Sequence, residues 1–118
     1  ERIILATGKV TIDLADKVKT GEGFDHLHIV RVEQLCPFPA DQVKEIISRF
    51  PNVKEIAWVQ EEPKNQGTWM YALETLYEIA EGKKVRYIGR PAMSSTSEGD
   101  GDTHKANQLA LIEEAVSK

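Results

Sequence analysis

The sequence has little cysteine, no excess of basic charge and no long apolar run. Its single cysteine, Cys36, excludes an internal disulfide and a cysteine-rich zinc cage, and it suits a reducing compartment. With 15 Lys and Arg against 19 Asp and Glu, the net charge of −4 argues against a binder of nucleic-acid phosphates. No apolar run exceeds five residues, so the sequence predicts neither a membrane span nor a secretory signal. We therefore expect a protein that is not secreted and has no nucleic-acid or membrane partner.

The chain opens on apolar residues rather than on a loose polar terminus. No initiator Met is present, and the run Ile3-Ile4-Leu5-Ala6 already has the character of a buried strand. A length of 118 residues suits one domain with its own core. We expect residues 1–118 to form a single α/β domain that is a fragment of a much longer chain.

Strand and helix patterns alternate four times along the sequence. The predicted strands cover residues 3–6, 26–33, 55–60 and 85–90, and the predicted helices cover 9–19, 39–50, 67–81 and 103–116. The first helix is ambiguous, because Val10, Ile12 and Leu14 also alternate as they would in a strand. Thr103 is the expected cap of the last helix.

This alternation predicts an α/β fold with three αβα layers and a four-stranded, mainly parallel sheet. The first and third strands are continuously apolar and belong in the centre, whereas the second and fourth are mixed and belong at the edges. The resulting strand order is 2-1-3-4, which is flavodoxin-like. Ligands of such sheets favour the crevice at the carboxyl ends of the central strands, which is lined here by residues 7–9 and 60–62.

The polar loop after the third strand is the main candidate site. Its candidate residues are Gln60, Glu61, Glu62, Lys64, Asn65 and Gln66. As a functional site, the loop would hold a cation or a partner's Arg on Glu61 or Glu62, or an anion at the amides near Gly67. As an ordinary turn, it would use Asn65 to cap the next helix and leave both glutamates in water. The residues alone leave both alternatives open.

Weaker patterns lie elsewhere in the chain. Asp25, His26 and His28 lack a third histidine nearby, so we assign no metal ligand. A basic cluster surrounds the fourth strand and consists of Lys83, Lys84, Arg86 and Arg90. It is typical of a solvated edge strand, with an anion or partner site as the alternative.

Five stretches, taken in order, carry a resemblance to a known family. They are residues 60–69 (QEEPKNQGTW), 4–10 (ILATGKV), 29–39 (IVRVEQLCPFP), 87–92 (YIGRPA) and 104–108 (HKANQ). From near residue 2 to near residue 116, the chain resembles the C-terminal domain of the thiamine-diphosphate-dependent decarboxylase component of 2-oxoglutarate dehydrogenase. This domain is of the transketolase C-terminal type.

The resemblance implies a parent that is an oxidoreductase of the tricarboxylic acid cycle. Such a parent is a homodimer that decarboxylates 2-oxoglutarate and passes the succinyl group to a lipoyl arm on the second enzyme of the complex. Thiamine diphosphate and magnesium bind to the preceding domains, so no residue of this chain is expected to be catalytic or cofactor-binding, and the isolated chain should be inactive. The compartment would be the bacterial cytoplasm or the mitochondrial matrix. The alternatives are the same domain of a fused decarboxylase–succinyltransferase and a free-standing flavodoxin-like binding module.

The resemblance also implies an effector site in some members of the family. Some actinobacterial members bind acetyl-CoA on this domain through a Gln and two adjacent Arg. Gln34 matches the Gln, but Asp41 and Gln42 stand where the Arg pair would be, and Asp41 carries the wrong charge for a phosphate. The candidate effector residues are therefore Gln34, from the family match, and Arg90, from the basic cluster.

Overall fold

The structure is a computed structural model that describes residues 2–21, 23–24, 26–33, 38–80, 82–91 and 101–117, with the backbone alone for 101–104. Four strands and four helices alternate, as predicted. They are β1 (Arg2–Ala6), α1 (Lys9–Thr20), β2 (Leu27–Arg31), α2 (Ala40–Ser48), β3 (Glu55–Val59), α3 (Trp69–Ile79), β4 (Lys84–Ile88) and α4 (Gly101–Val116).

Two helix starts differ by two residues from the sequence prediction. The helix α3 begins at Trp69 rather than at residue 67, because Gly67 has a φ of +68°, which is not helical. The helix α4 begins at Gly101, so Thr103 lies inside the helix and is not its cap. The segment 92–100, which joins β4 to α4, is outside the described residues.

The four strands form one parallel sheet in the order β2-β1-β3-β4, which confirms the predicted topology. The register pairs Ala6 of β1 with Arg31 of β2 and with Val59 of β3. The central strand β1 is buried throughout, and β3 is buried from Ile56 onward. The apolar runs were therefore a correct guide to the two central positions.

Helices cover both faces of the sheet, which confirms the three-layer arrangement. Successive residues of a strand point to opposite faces. Leu5 and Trp58 thus pack with α2 and α3, while Ala6 and Val59 pack with α1 and α4. The ambiguous first segment is a helix because the sheet covers only one of its sides, which leaves Ile12 51% exposed.

Arg2 links the C-terminal end of α4 to the amino-terminal ends of the central strands. Its Nε lies 2.7 Å from Glu55 Oε1, and its Nη1 donates to the carbonyl oxygens of Ala115 and Ser117 at 2.6 and 2.8 Å. A cation at the end of a helix also complements the negative end of the helix dipole. Arg86 adds a second tie, because its Nη2 lies 2.6 Å from Glu114 Oε2. This member of the basic cluster is thus engaged in holding the fold.

We expect Arg2→Ala to lower the free energy of unfolding by about 2 kcal/mol, because buried carbonyl groups and Glu55 would lose a charged partner. Urea denaturation followed by circular dichroism measures the change. Arg49→Ala is the matched control, since the Arg49–Glu45 ion pair is exposed on both sides and should cost at most about 0.5 kcal/mol. Equal losses for the two variants would contradict the fastening role of Arg2.

Candidate functional site

The candidate loop lies where the sequence placed it, at the carboxyl ends of the central strands. It connects β3 to α3, and it runs beside the chain that follows β4. Gln60 N donates to Ile88 O at 3.3 Å, and Lys64 N donates to Arg90 O at 3.0 Å. The loop is therefore hydrogen-bonded to the main chain of the neighbouring segment at two points.

Gln60 organises the loop from within. Its side chain is buried, and Oε1 accepts hydrogen bonds from Trp58 Nε1 and from the amide of Trp69, both at 2.9 Å. Its amide nitrogen donates to three carbonyl oxygens, at 3.1, 2.9 and 2.8 Å, which belong to Glu62, Pro63 and Gln66. Gln60, one of the candidate residues of the loop, is thus its internal support.

The first helical amide of α3 has a partner that the sequence did not indicate. The sequence offered Asn65 as a cap if the loop is an ordinary turn. In the structure the residue at the N-cap position is Thr68, and the first helical amide, that of Trp69, donates to Gln60 Oε1 at 2.9 Å. A residue nine positions before the helix supplies this hydrogen bond, which no local capping pattern indicates.

Two glycines allow the loop to close this tightly. A Cβ at Gly67 would lie 3.1 Å from Glu62 Cβ and 3.2 Å from Gln60 Nε2, and its φ of +68° disfavours other residues. A Cβ at Gly89 would lie 2.6 Å from Tyr87 Oη and 2.7 Å from Gln60 O. Gly89 thus leaves room only for hydrogen, and Gly67 leaves less room than an ordinary Cβ contact needs, so the loop is closely packed at both points.

Glu61 joins the loop to α4 rather than extending into water. Gln108 Nε2 donates to Glu61 Oε1 at 2.6 Å, and Arg90 Nη1 donates to Glu61 O at 2.7 Å. Both terminal nitrogens of Arg90 lie 3.2 Å from Gln108 Oε1. Gln108 Nε2 also lies 3.4 Å from Asp13 Oδ2, so the network reaches α1. These contacts brace the loop against the helices on one face of the sheet.

The position of Arg90 bears on its candidate role as an effector residue. Arg90 is 4% exposed, and its guanidinium already contacts Glu61 and Gln108. An effector would have to displace these contacts to reach it. Gln34, the other candidate, lies outside the described residues.

Tyr87 and Lys64 close the other side of the loop. The Tyr87 hydroxyl donates to Arg90 O at 2.6 Å, and Lys64 Nζ lies 5.6 Å from the centroid of the Tyr87 ring. Burial raises the pKa of Tyr87 to about 12, against smaller lowering effects of Gln60 and Arg90. The hydroxyl therefore stays protonated and remains a hydrogen-bond donor throughout the physiological pH range.

The remaining candidate residues form the outer surface of the loop. Glu62, Lys64 and Asn65 are exposed, whereas Glu61 and Gln66 are half-buried. The site thus has an internal part, centred on Gln60, and an external part that is available for contact. Sequence reasoning missed Gln108 and Tyr87 as parts of this site, since both come from distant elements.

A cavity of about 600 Å³ lies between α1 and α4, next to Glu61. Apolar side chains of α4 line it together with three lysines (Lys9, Lys17 and Lys105) and three carboxylates (Asp13, Asp16 and Glu61). Because cations and anions are balanced, the cavity is not a phosphate clamp. Lys9 therefore lies in a surface of mixed charge.

His28 of β2 and His26, which precedes this strand, have packing contacts. His26 Nε2 lies 3.2 Å from Val116 O, and the ring of His28 stacks on Phe50 at a centroid distance of 4.1 Å. Across the described ranges, we find no group of three His, Cys, Asp or Glu able to hold a metal ion. Within the same ranges, no helix has the length and apolar character needed to cross a membrane.

The parallel sheet of order 2-1-3-4, with two helices on each face, defines a flavodoxin-like α/β domain with a braced loop at the point where the strand order reverses. The chain belongs to the family described as "2-oxoglutarate dehydrogenase C-terminal", whose model matches residues 1–116. The family resemblance expected from the sequence is therefore confirmed.

Similar proteins carry one name across several bacteria. The chain is 51% identical over 119 positions to the 2-oxoglutarate dehydrogenase E1 component of Geobacillus kaustophilus (strain HTA426), covering 100% of this chain and 12% of that protein. It is 50% identical over 120 positions to the protein of the same name in Bacillus cereus (strain AH187), covering 98% of this chain and 13% of that protein. The chain thus spans about an eighth of the length of these relatives.

Proposed function

We propose that this chain is the C-terminal assembly and regulatory domain of a 2-oxoglutarate dehydrogenase E1 subunit. The family match over residues 1–116 and the E1 name of relatives about 50% identical to the chain support this function. In the intact subunit, the enzyme would decarboxylate 2-oxoglutarate and transfer the succinyl group to a lipoyl arm of the second enzyme. The proposed partners of this domain are the other domains of its subunit and, through them, the second subunit of a homodimer.

The observation that carries the assembly role is the internal bracing of the 60–67 loop. The Gln60 side chain makes three hydrogen bonds inside the loop and two to the flanking residues Trp58 and Trp69. Glu61 accepts a hydrogen bond from Gln108. A loop held in this way presents Glu62 and Lys64 on a rigid base. Rigid presentation lowers the entropy lost on association, which is what a permanent contact between domains requires.

No catalytic step is assigned to residues of this chain. The Tyr87 hydroxyl, which lies beside the loop, donates a hydrogen bond to Arg90 O and so helps to hold the loop in place. Thiamine diphosphate supplies the decarboxylation chemistry of the proposed parent, and we assign it and its magnesium to the other domains. The contribution of this domain would be to hold those domains in their dimeric arrangement.

The alternatives have different support. A free-standing flavodoxin-like module is not favoured, because the relatives at about 50% identity are E1 components of which this chain covers 12–13%. The same domain in a fused decarboxylase–succinyltransferase differs in the rest of the polypeptide, so the length of the parent gene distinguishes it. The bacterial relatives support the cytoplasm rather than the mitochondrial matrix as the compartment.

The test uses the intact parent subunit. We expect Lys64→Ala to weaken the dimer by about tenfold, a free energy of about 1.4 kcal/mol, and to lower turnover with it. The loss of the Lys64–Tyr87 contact should cost the domain itself at most about 1 kcal/mol. Glu61→Ala should weaken both the dimer and the domain, because it also removes the acceptor of Gln108. Analytical ultracentrifugation and a 2-oxoglutarate assay measure these effects.

Lys19→Ala, at an exposed position of α1, is the matched control and should leave both readouts unchanged. If Lys64→Ala and Glu61→Ala leave dimerisation and turnover at the level of this control, the loop is ordinary solvated surface and the assembly role is wrong.

We expect acetyl-CoA not to bind through the Gln34 region. Asp41 lies in the first turn of α2, where it is exposed and places a negative charge at the position of the family's Arg pair. Like charges repel, and the repulsion is strongest at low ionic strength. Isothermal titration calorimetry at low salt is the measurement. Saturable binding that is lost in Gln34→Ala would contradict this prediction.

A further inference from the structure

The helix α3 has an apolar outer face that nothing in the described structure covers. Its inward side packs into the core through Trp69, Ala72, Leu76 and Ile79. On the opposite side, Met70 is 59% exposed, Tyr71 is 74% exposed and Tyr77 is 62% exposed. Met70 and Tyr77 are seven residues apart, so they lie in one stripe along the helix, with Tyr71 beside it.

Two acidic residues share this surface. Glu74 and Glu78 are both exposed, and they are four residues apart on the helix, where like charges repel. Neither carboxylate has an ion-pair partner among the residues that the structure describes. The last turn of α3 contains no basic residue either. We define the α3 outer face as Met70, Tyr71, Glu74, Tyr77 and Glu78. This face thus combines exposed apolar side chains with two carboxylates that lack an ion-pair partner among the described residues.

We propose that the α3 outer face is the docking surface for the part of the same E1 subunit that lies outside this domain, and that this part contributes apolar side chains flanked by Lys or Arg. The inference rests on the proposed function, and it names a second contact besides the 60–67 loop. Tyr and Met are enriched where proteins contact one another. A basic rim on the partner would relieve the repulsion between Glu74 and Glu78.

The charge of the face favours a tethered basic partner over a second copy of the chain, because a second copy would add two more carboxylates to the same contact. The three large apolar side chains, at these exposures, offer roughly 400 Å². A stable contact between free proteins needs about 800 Å² of total area from each partner. A tethered partner needs less, because the covalent link supplies an effective concentration in the millimolar range. The relatives, of which this chain is 12–13%, have ample polypeptide for that role.

Site-specific photo-cross-linking in the full-length subunit tests the proposal. Tyr71 is replaced by p-benzoylphenylalanine, which keeps an aromatic ring, and in a second protein Tyr77 is replaced in the same way. Ile12, which is 51% exposed on α1 across the sheet, is the matched control position. We expect illumination to cross-link positions 71 and 77, but not position 12, to peptides from outside residues 1–118. The product should keep the monomer mass on a denaturing gel.

The other outcomes overturn the proposal. A cross-linked product of twice the monomer mass would assign the face to a second copy of the chain. A product of any other mass would assign it to another protein. Equal cross-link yields at positions 71 and 12 would show that the face is ordinary solvated surface. Glu74→Lys with Glu78→Lys should lower the cross-link yield at position 71 by about tenfold, because two like-charge contacts would replace two ion pairs. An unchanged yield contradicts the basic rim. If the subunit is a dimer that turns over 2-oxoglutarate but gives no cross-link, only the docking role of the α3 outer face is wrong. If the subunit does not turn over 2-oxoglutarate, the proposed function is wrong.

Discussion

Replacing Gln60 by Met is expected to lower the free energy of unfolding by about 3–5 kcal/mol, because each buried group left without its hydrogen-bond partner costs about 1–3 kcal/mol. Met has nearly the same length and no polar atoms, so the change removes the hydrogen bonds and keeps most of the volume. The amide of Trp69 and the loop carbonyls would lose their partner inside the loop. Chemical denaturation monitored by Trp fluorescence is a suitable measurement, since Trp58 and Trp69 both contact this side chain.

Gln42→Met is the matched control for this variant. Gln42 is exposed on α2, where the same chemical change removes no buried hydrogen bond, and its expected effect is within about 0.5 kcal/mol. If the two variants unfold at the same denaturant concentration, Gln60 does not support the loop and its five contacts contribute nothing net.

Gly89→Ala is expected to cost about 3 kcal/mol, at the upper end of what an added methyl group costs in a close-packed region. The new Cβ would lie 2.7 Å from the backbone oxygen of Gln60, which cannot rotate away as a side chain would. The loop would have to move away from the end of β4, so the Lys64 N to Arg90 O hydrogen bond should lengthen. Thermal unfolding measures the cost, and amide hydrogen exchange at Lys64 reports the displacement.

Gly82→Ala separates this steric effect from the general cost of losing a glycine. Gly82 has a φ of +83° with nothing within 4 Å of an added Cβ, so its substitution should cost about 1–2 kcal/mol through backbone strain alone. A Gly89→Ala variant that is as stable as the unsubstituted protein would show that the loop moves without cost at this point, which would contradict its rigidity.

The stability of the loop and its proposed role are connected. A contact between domains needs a surface whose shape is fixed before association, since ordering a mobile loop costs free energy that the contact must repay. Gln60 and Gly89 fix the shape, whereas Glu62 and Lys64 face outward. Variants of the first pair should therefore change the stability of the domain, and Lys64→Ala should change its association with much less effect on that stability.

The sequence by itself determined the layers and the strand order. Apolar runs such as Ile3 to Ala6 are local signals, and burial on both faces of a sheet requires such a run. The order 2-1-3-4 and the position of the 60–67 loop at the switch point followed from these runs and from the handedness of the crossovers. The ordered motifs around residues 60–69 also sufficed to predict the family, which the match over residues 1–116 confirms.

The tertiary structure decided what each polar side chain does. Gln60 stands in a polar segment, as a surface residue would, yet it is buried because Trp58 and Trp69 converge on it from two elements. Glu61 and Gln108 are 47 residues apart in sequence and meet only when α4 packs on the sheet. Hydrophobic periodicity encodes which face of an element is buried, but a hydrogen bond depends on which groups the completed fold brings within about 3 Å of each other. All the elements of the fold together set that distance. The pattern of residues therefore predicted the position of the loop, but not which of its side chains are buried supports and which form its outer surface.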